Sequence, residues 1–216
     1  MPLSWDQDEY IRAYNFAADA HKDQKIKGRR DLPYIIHPGL VSMEVIAALQ
    51  VERGLDGTLA VQCALLHDVI EDSHVSSEEI KDRFGEKVAS GVQALSKDPH
   101  LDKPLRLADC LLRIKEQPRE VWMVKLADRI TNLQPPPRGW SRKKIDSYRE
   151  EAKEILDALA PASDFLAKRL RDKIDNYGHP IAPRQPLGMM AQYVLYCVAA
   201  ELSAYRVTAL IIYPNS

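Results

Sequence analysis

Along most of the chain, apolar residues recur at the spacing of one face of an α-helix. The opening stretch "SWDQDEYIRAYNFAADAHKDQ" places Ile11, Tyr14, Phe16 and Ala17 at helical intervals, with Ser4 as a candidate cap and acids in the first turn. Segments 38–50, 57–72, 76–83, 85–96, 103–116, 119–133 and 140–158 repeat that period. No strand signal is evident before the C-terminus. The pattern therefore predicts an all-α fold.

Two stretches break the rhythm with prolines and cations. "HKDQKIKGRRDLPYIIHP" gathers Lys22, Lys25, Lys27, Arg29 and Arg30 in a Gly- and Pro-punctuated loop, and "QPPPRGWSRKK" does the same with Arg138, Arg142, Lys143 and Lys144. From residue 175 the character changes. "DNYGHPIAPRQP" reads as a linker, and the apolar run after it reads as a buried or partner-facing helix with a possible short strand. Glu201 and Arg206 interrupt that run before it reaches the roughly 18 to 20 residues of a membrane span. The chain is thus read as one domain over 1–175 with an apolar extension over 176–216.

Composition fits a globular protein with one sizeable core: 216 residues, 45% hydrophobic and 28% charged. Thirty Lys and Arg against 31 Asp and Glu leave a net charge of −1, so no global field recruits nucleic acid or an anionic membrane. Any anion site must come from local clustering. The cysteines, Cys63, Cys110 and Cys197, are widely spaced in apolar contexts and read as buried, reduced thiols. The start lacks the profile of an export signal, which places the protein in the cytoplasm.

The segment that composition does not explain is "ALLHDVIEDS", residues 64–73, where ionisable groups sit inside an apolar run. At about 100° per residue, His67 and Glu71 lie one turn apart, and Asp68 and Asp72 lie one turn apart on the adjoining strip. In a continuous helix all four can face one cavity. His37 follows "PYII" at a helix entry, and Asp128 stands in "VKLADRITNL" among apolar neighbours. His37, His67, Asp68 and Asp128 form a mixed nitrogen and oxygen set suited to a divalent transition ion, with manganese, iron and zinc all compatible. Such an ion lowers the pKa of a bound water and polarises a phosphoryl oxygen. Glu71 and Asp72 are then free to position or deprotonate that water.

In order and context these residues resemble the HD phosphohydrolase superfamily, and within it the Rel/Spo-type alarmone hydrolases. The matching pieces are "PYIIHP", "LLHDVIED", "FGEKV", "ALSKD", "VKLADRITNL" and the later "GWS…Y…EA", over roughly residues 8 to 160. The resemblance implies an HD-domain helical bundle and manganese-dependent removal of the 3′-pyrophosphate from guanosine tetra- and pentaphosphate, giving GDP or GTP and pyrophosphate. It makes His37, His67, Asp68 and Asp128 the metal ligands and Glu71 and Asp72 the catalytic acids. It puts Asn132 at the nucleotide sugar and phosphates, and Lys25, Lys27, Arg142 and Tyr148 where other substrate contacts fall. In this chain Lys25 follows Gln24 where the family often has arginine, so a point charge replaces a bidentate fork. The extension has no family counterpart; covering an apolar patch or forming a homo-oligomer contact would suit it. Two other functions fit less of the pattern. One is a broader nucleotide phosphatase acting on other 3′-pyrophosphorylated nucleotides, such as the adenosine analogue, or on the 2′-phosphate of NADPH. The other is a non-catalytic alarmone-binding module.

Overall fold

The structure, a computed structural model, describes residues 4–26, 29–137 and 139–178. By contacts the chain divides into Met1–Gly178 and His179–Ser216. The apolar extension, Lys27, Arg138 and Cys197 lie outside the described residues, and so does the oligomer contact assigned to the extension.

Ten α-helices account for most of the described residues: α1 (Gln7–Ala20), α2 (Ile36–Leu49), α3 (Gly57–Leu66), α4 (Val69–Asp72), α5 (Ser77–Phe84), α6 (Glu86–Leu95), α7 (Arg106–Lys115), α8 (Arg119–Asn132), α9 (Arg142–Leu159) and α10 (Asp164–Asn176). The helical period yields the right class because the apolar stripes fall where helices bury them. α3 is buried from Leu59 through Leu66 and α8 from Met123 through Thr131, and these two are the central rods. Packed against α3 are α1, α2, α6 and α8, so a polar side chain at the end of α3 or on the inner face of α8 emerges inside the bundle. Packing there is close: a Cβ added at Gly91 would lie 2.9 Å from both Cys63 Sγ and Val121 Cγ2. Among the described residues, no helix is long and apolar enough to cross a membrane.

Four expectations need correction. A two-stranded antiparallel hairpin, β1 (Lys25–Ile26) and β2 (Arg29–Pro33), lies in the first basic loop, although no strand was expected before the C-terminus. Its sequence is too short and cationic to show apolar alternation, and an irregularity between Lys25 and Ile26 breaks its register. The α1 cap is Asp6, whose carboxylate accepts from the Asp8 and Glu9 amides, rather than Ser4. A helix beyond residue 158 was not anticipated, yet α10 follows a Ser163 cap and buries Leu166, Ala167, Leu170 and Ile174. Finally, the helix expected over 57–72 is two helices. It breaks at His67–Asp68, where Asp68 has φ −104° and ψ −3°, a sparsely populated region common at active sites.

Candidate metal centre

The break between α3 and α4 is the key to the site. His67 sits at the C-terminal end of α3 with 3% of its surface exposed. Its Nδ1 lies 2.8 Å from the Ala64 carbonyl oxygen, which can only accept, so the ring proton is held there and Nε2 points inward. Three neighbours meet that nitrogen. Asp68 Oδ2 is 2.9 Å away and Asp128 Oδ1 3.9 Å away, while His37 Nε2 comes within 3.3 Å of Asp128 Oδ1 and 3.6 Å of Asp68 Oδ2. One donor atom from each of His37, His67 and Asp128 falls within 4.8 Å of the others, a spacing compatible with a single cation.

The donor chemistry fits a divalent metal. His67 Nε2 is buried, forms no well-aligned hydrogen bond, and has the Asp68 carboxylate 2.9 Å away. A buried ring nitrogen with a poorly aligned partner is costly, and a cation shared with the neighbouring carboxylates would remove the cost. Electrostatics agree. Burial alone would lower the His67 pKa, but Asp68 and Asp128 outweigh it and raise it to about 9. Burial likewise works against ionised Asp68, yet His67 and His37 hold its carboxyl far below the usual range. Asp128 is lowered too: burial works against its charge, and Lys125, His37 and His67 together outweigh it. The pocket favours a positive charge at its centre.

Around these donors stands a second ring of contacts, of which Lys125 and Tyr34 were not among the residues expected from the sequence. Lys125 Nζ approaches the far oxygen of Asp128 at 3.2 Å, leaving Oδ1 for the centre. Tyr34 donates its hydroxyl proton to Asp68 Oδ2 at 2.6 Å. Of the two, Lys125 had a legible signal in spacing, three residues before Asp128 on one helix face. Asn132, one turn beyond Asp128, donates to Asp128 Oδ1.

Glu71 and Asp72 follow the break at Asp68, on the single turn of α4. They line a neighbouring cleft of about 650 Å³ with Ser96, Lys97 and His100. Glu71 accepts from the Lys97 amide at 2.9 Å, with Lys97 Nζ 3.7 Å from its other oxygen. Asp72 keeps solvent on one side. The packing behind it, with like-charged Asp68 and Glu71, pushes its carboxyl above the usual aspartate value.

The remaining expected contacts are more dispersed. Lys25 is exposed on β1. Arg142 is exposed at the start of α9, 3.3 Å from Asp146. Tyr148 is partly buried, with Arg129 over its ring at 4.6 Å and Trp140 against its edge.

Comparison with known proteins places the chain in a family. Residues 13–164 match the HD domain family. A Xenopus tropicalis protein named guanosine-3′,5′-bis(diphosphate) 3′-pyrophosphohydrolase MESH1 is 33% identical over 78% of this chain and 94% of its own. The Aquifex aeolicus guanosine-3′,5′-bis(diphosphate) 3′-pyrophosphohydrolase is 37% identical over 76% of this chain but only 22% of its own, larger length. A solved structure of a metazoan SpoT orthologue described as hydrolysing ppGpp superimposes with a TM-score of 0.70 at 26% identity, covering 81% of this chain and 98% of that one. The HD match spans most of the chain, and the first of these relatives is covered almost end to end; the chain belongs to the HD-domain ppGpp pyrophosphohydrolase family.

Proposed function

We propose that this chain hydrolyses the 3′-pyrophosphate of ppGpp and pppGpp, releasing pyrophosphate and GDP or GTP, with Mn²⁺ held by His37, His67, Asp68 and Asp128. The observation that carries the reading is the buried His67 Nε2 facing two carboxylates with a second imidazole beside them, and two acids one turn further on. When bound, the cation supplies Lewis-acid polarisation of the phosphoryl group and acidifies water. Everything else falls to the chain. Asp72, its carboxyl raised and open to the cleft, is suited to take a proton from the attacking water. Glu71 is held by Lys97 and orients that water beside it. As the water oxygen joins phosphorus, the bond to the ribose 3′ oxygen breaks and that oxygen regains a proton. Lys25, Lys27, Asn132, Arg142 and Tyr148 gather and orient the phosphates and sugar. The catalytic domain is taken as residues 1–175, with 176–216 an extension rather than a domain of its own, and the cytoplasm as its compartment.

Product analysis with Mn²⁺ over ppGpp, its adenosine analogue and NADPH tests this directly. Pyrophosphate released from ppGpp in preference to the others is expected. Orthophosphate from NADPH as the dominant product would replace the reading with the broader phosphatase.

A further inference from the structure

The acids of the site stand on a helix that cannot support itself. α4 is four residues long, carries no side-chain cap, and its Asp72 amide bonds back to the Asp68 carbonyl at 2.8 Å. One turn in isolation lies far on the unfavourable side of helix nucleation. Asp68 and Asp72, its two ends, therefore depend on contacts from elsewhere.

Besides Lys97 at Glu71 and the two histidines at Asp68, a contact at each end comes from one short stretch of chain, residues 21–34. At the first end Tyr34 donates to Asp68 Oδ2, the same oxygen that lies 2.9 Å from His67 Nε2 and 3.6 Å from His37 Nε2. At the second end Gln24 donates its side-chain amide to the Asp72 carbonyl oxygen. Gln24 is itself fixed: its Oε1 lies 2.7 Å from His21 Nδ1, its amide donates to the His21 carbonyl at 2.9 Å, and its carbonyl accepts from the Tyr34 amide at 3.0 Å. His21 is 1% exposed, and its ring packs against Tyr34 at 4.9 Å.

We infer that Tyr34 and Gln24 are positioning residues forming a two-ended clamp on α4, Tyr34 aiming the Asp68 carboxylate and Gln24 fixing where Asp72 stands. The inference rests on the metal and acid assignments proposed above. It separates the two ends by what each controls. Losing an outer partner of a metal ligand typically costs about 10- to 100-fold in metal affinity or activity. Misplacing a proton-handling group lowers turnover without changing ground-state binding.

The test uses the full-length chain. Mn²⁺ affinity is measured by competition with a fluorescent chelator without nucleotide, and kcat and KM are measured separately with ppGpp. Tyr34→Phe removes one oxygen and is expected to weaken Mn²⁺ binding about tenfold or more. Gln24→Leu is expected to leave Mn²⁺ affinity within about twofold while kcat falls about tenfold or more at nearly constant KM. Gln24→Glu keeps the acceptor for His21 but has no donor for the Asp72 carbonyl, so it should behave like Gln24→Leu, and it serves where the leucine variant fails to fold. A folded Tyr34→Phe that binds Mn²⁺ like the wild type, or a folded Gln24 variant with wild-type kcat, overturns the clamp and leaves the proposed reaction standing. A wild type that neither binds Mn²⁺ nor cleaves ppGpp overturns both.

Discussion

The ligand cluster and the acid pair are separated by one turn of chain and built in opposite ways. His67 and Asp128 belong to α3 and α8, the two most buried helices, and their positions follow from the packing of the core. Glu71 and Asp72 are exposed on a single turn, held by Lys97 on one side and by residues 21–34 on the other. The contrast separates two requirements. A cation needs donors whose spacing does not change, which a core supplies. Groups that meet water and substrate need an opening, which a core forbids.

If the contrast is correct, its two halves fail differently. The largest effect is expected from Asp68→Ala, which should abolish both metal retention and hydrolysis; stoichiometric manganese found by elemental analysis in that variant would break the assignment. Next come Glu71→Gln and Asp72→Asn, which keep size and remove charge. Metal content should stay at the wild-type level while kcat drops by roughly 10²- to 10⁴-fold, and near-wild-type rates in both would remove the acids from the mechanism. The smallest effect belongs to the surface cations. Lys25→Ala and Arg142→Ala should each raise KM for ppGpp by about two- to fivefold at low salt, because exposed charge contacts contribute little. That increase should shrink as ionic strength rises and screening shortens to roughly 10 Å or less. An unchanged KM at low salt would make both solvated surface residues.

Much of the ligand cluster was legible because its elements obey the helical period. Val124, Leu126 and Ile130 mark the buried face of α8, and Asp128 interrupts it, so a polar group in the core is visible from spacing alone. The acid pair was only half legible. Its residues stand out in "HDVIED", but a strict 100° step predicts one continuous helix there, whereas the structure breaks it at His67–Asp68 and leaves the acids on a separate turn beside a cleft. Periodicity extrapolates a regular helix and has no term for a break favoured by contacts from distant chain. The Tyr34 and Gln24 contacts were hidden for the same reason, since they cross 34 and 48 positions of sequence. α10 was legible but unread: Ser163 as cap and the spacing of Leu166, Leu170 and Ile174 carry the signal.

Cys63 lies on α3 with no exposed surface, one turn before His67, and burial pushes its thiol far above the ordinary cysteine value. In the closed bundle it is therefore neither reachable nor nucleophilic. An alkylating reagent can modify it only when α3 departs from its neighbours, so its labelling rate follows the opening of the core. Because the same helix ends at His67, Cys63 serves as a built-in clock for how often the proposed metal site comes apart, read by mass spectrometry on the unmutated chain.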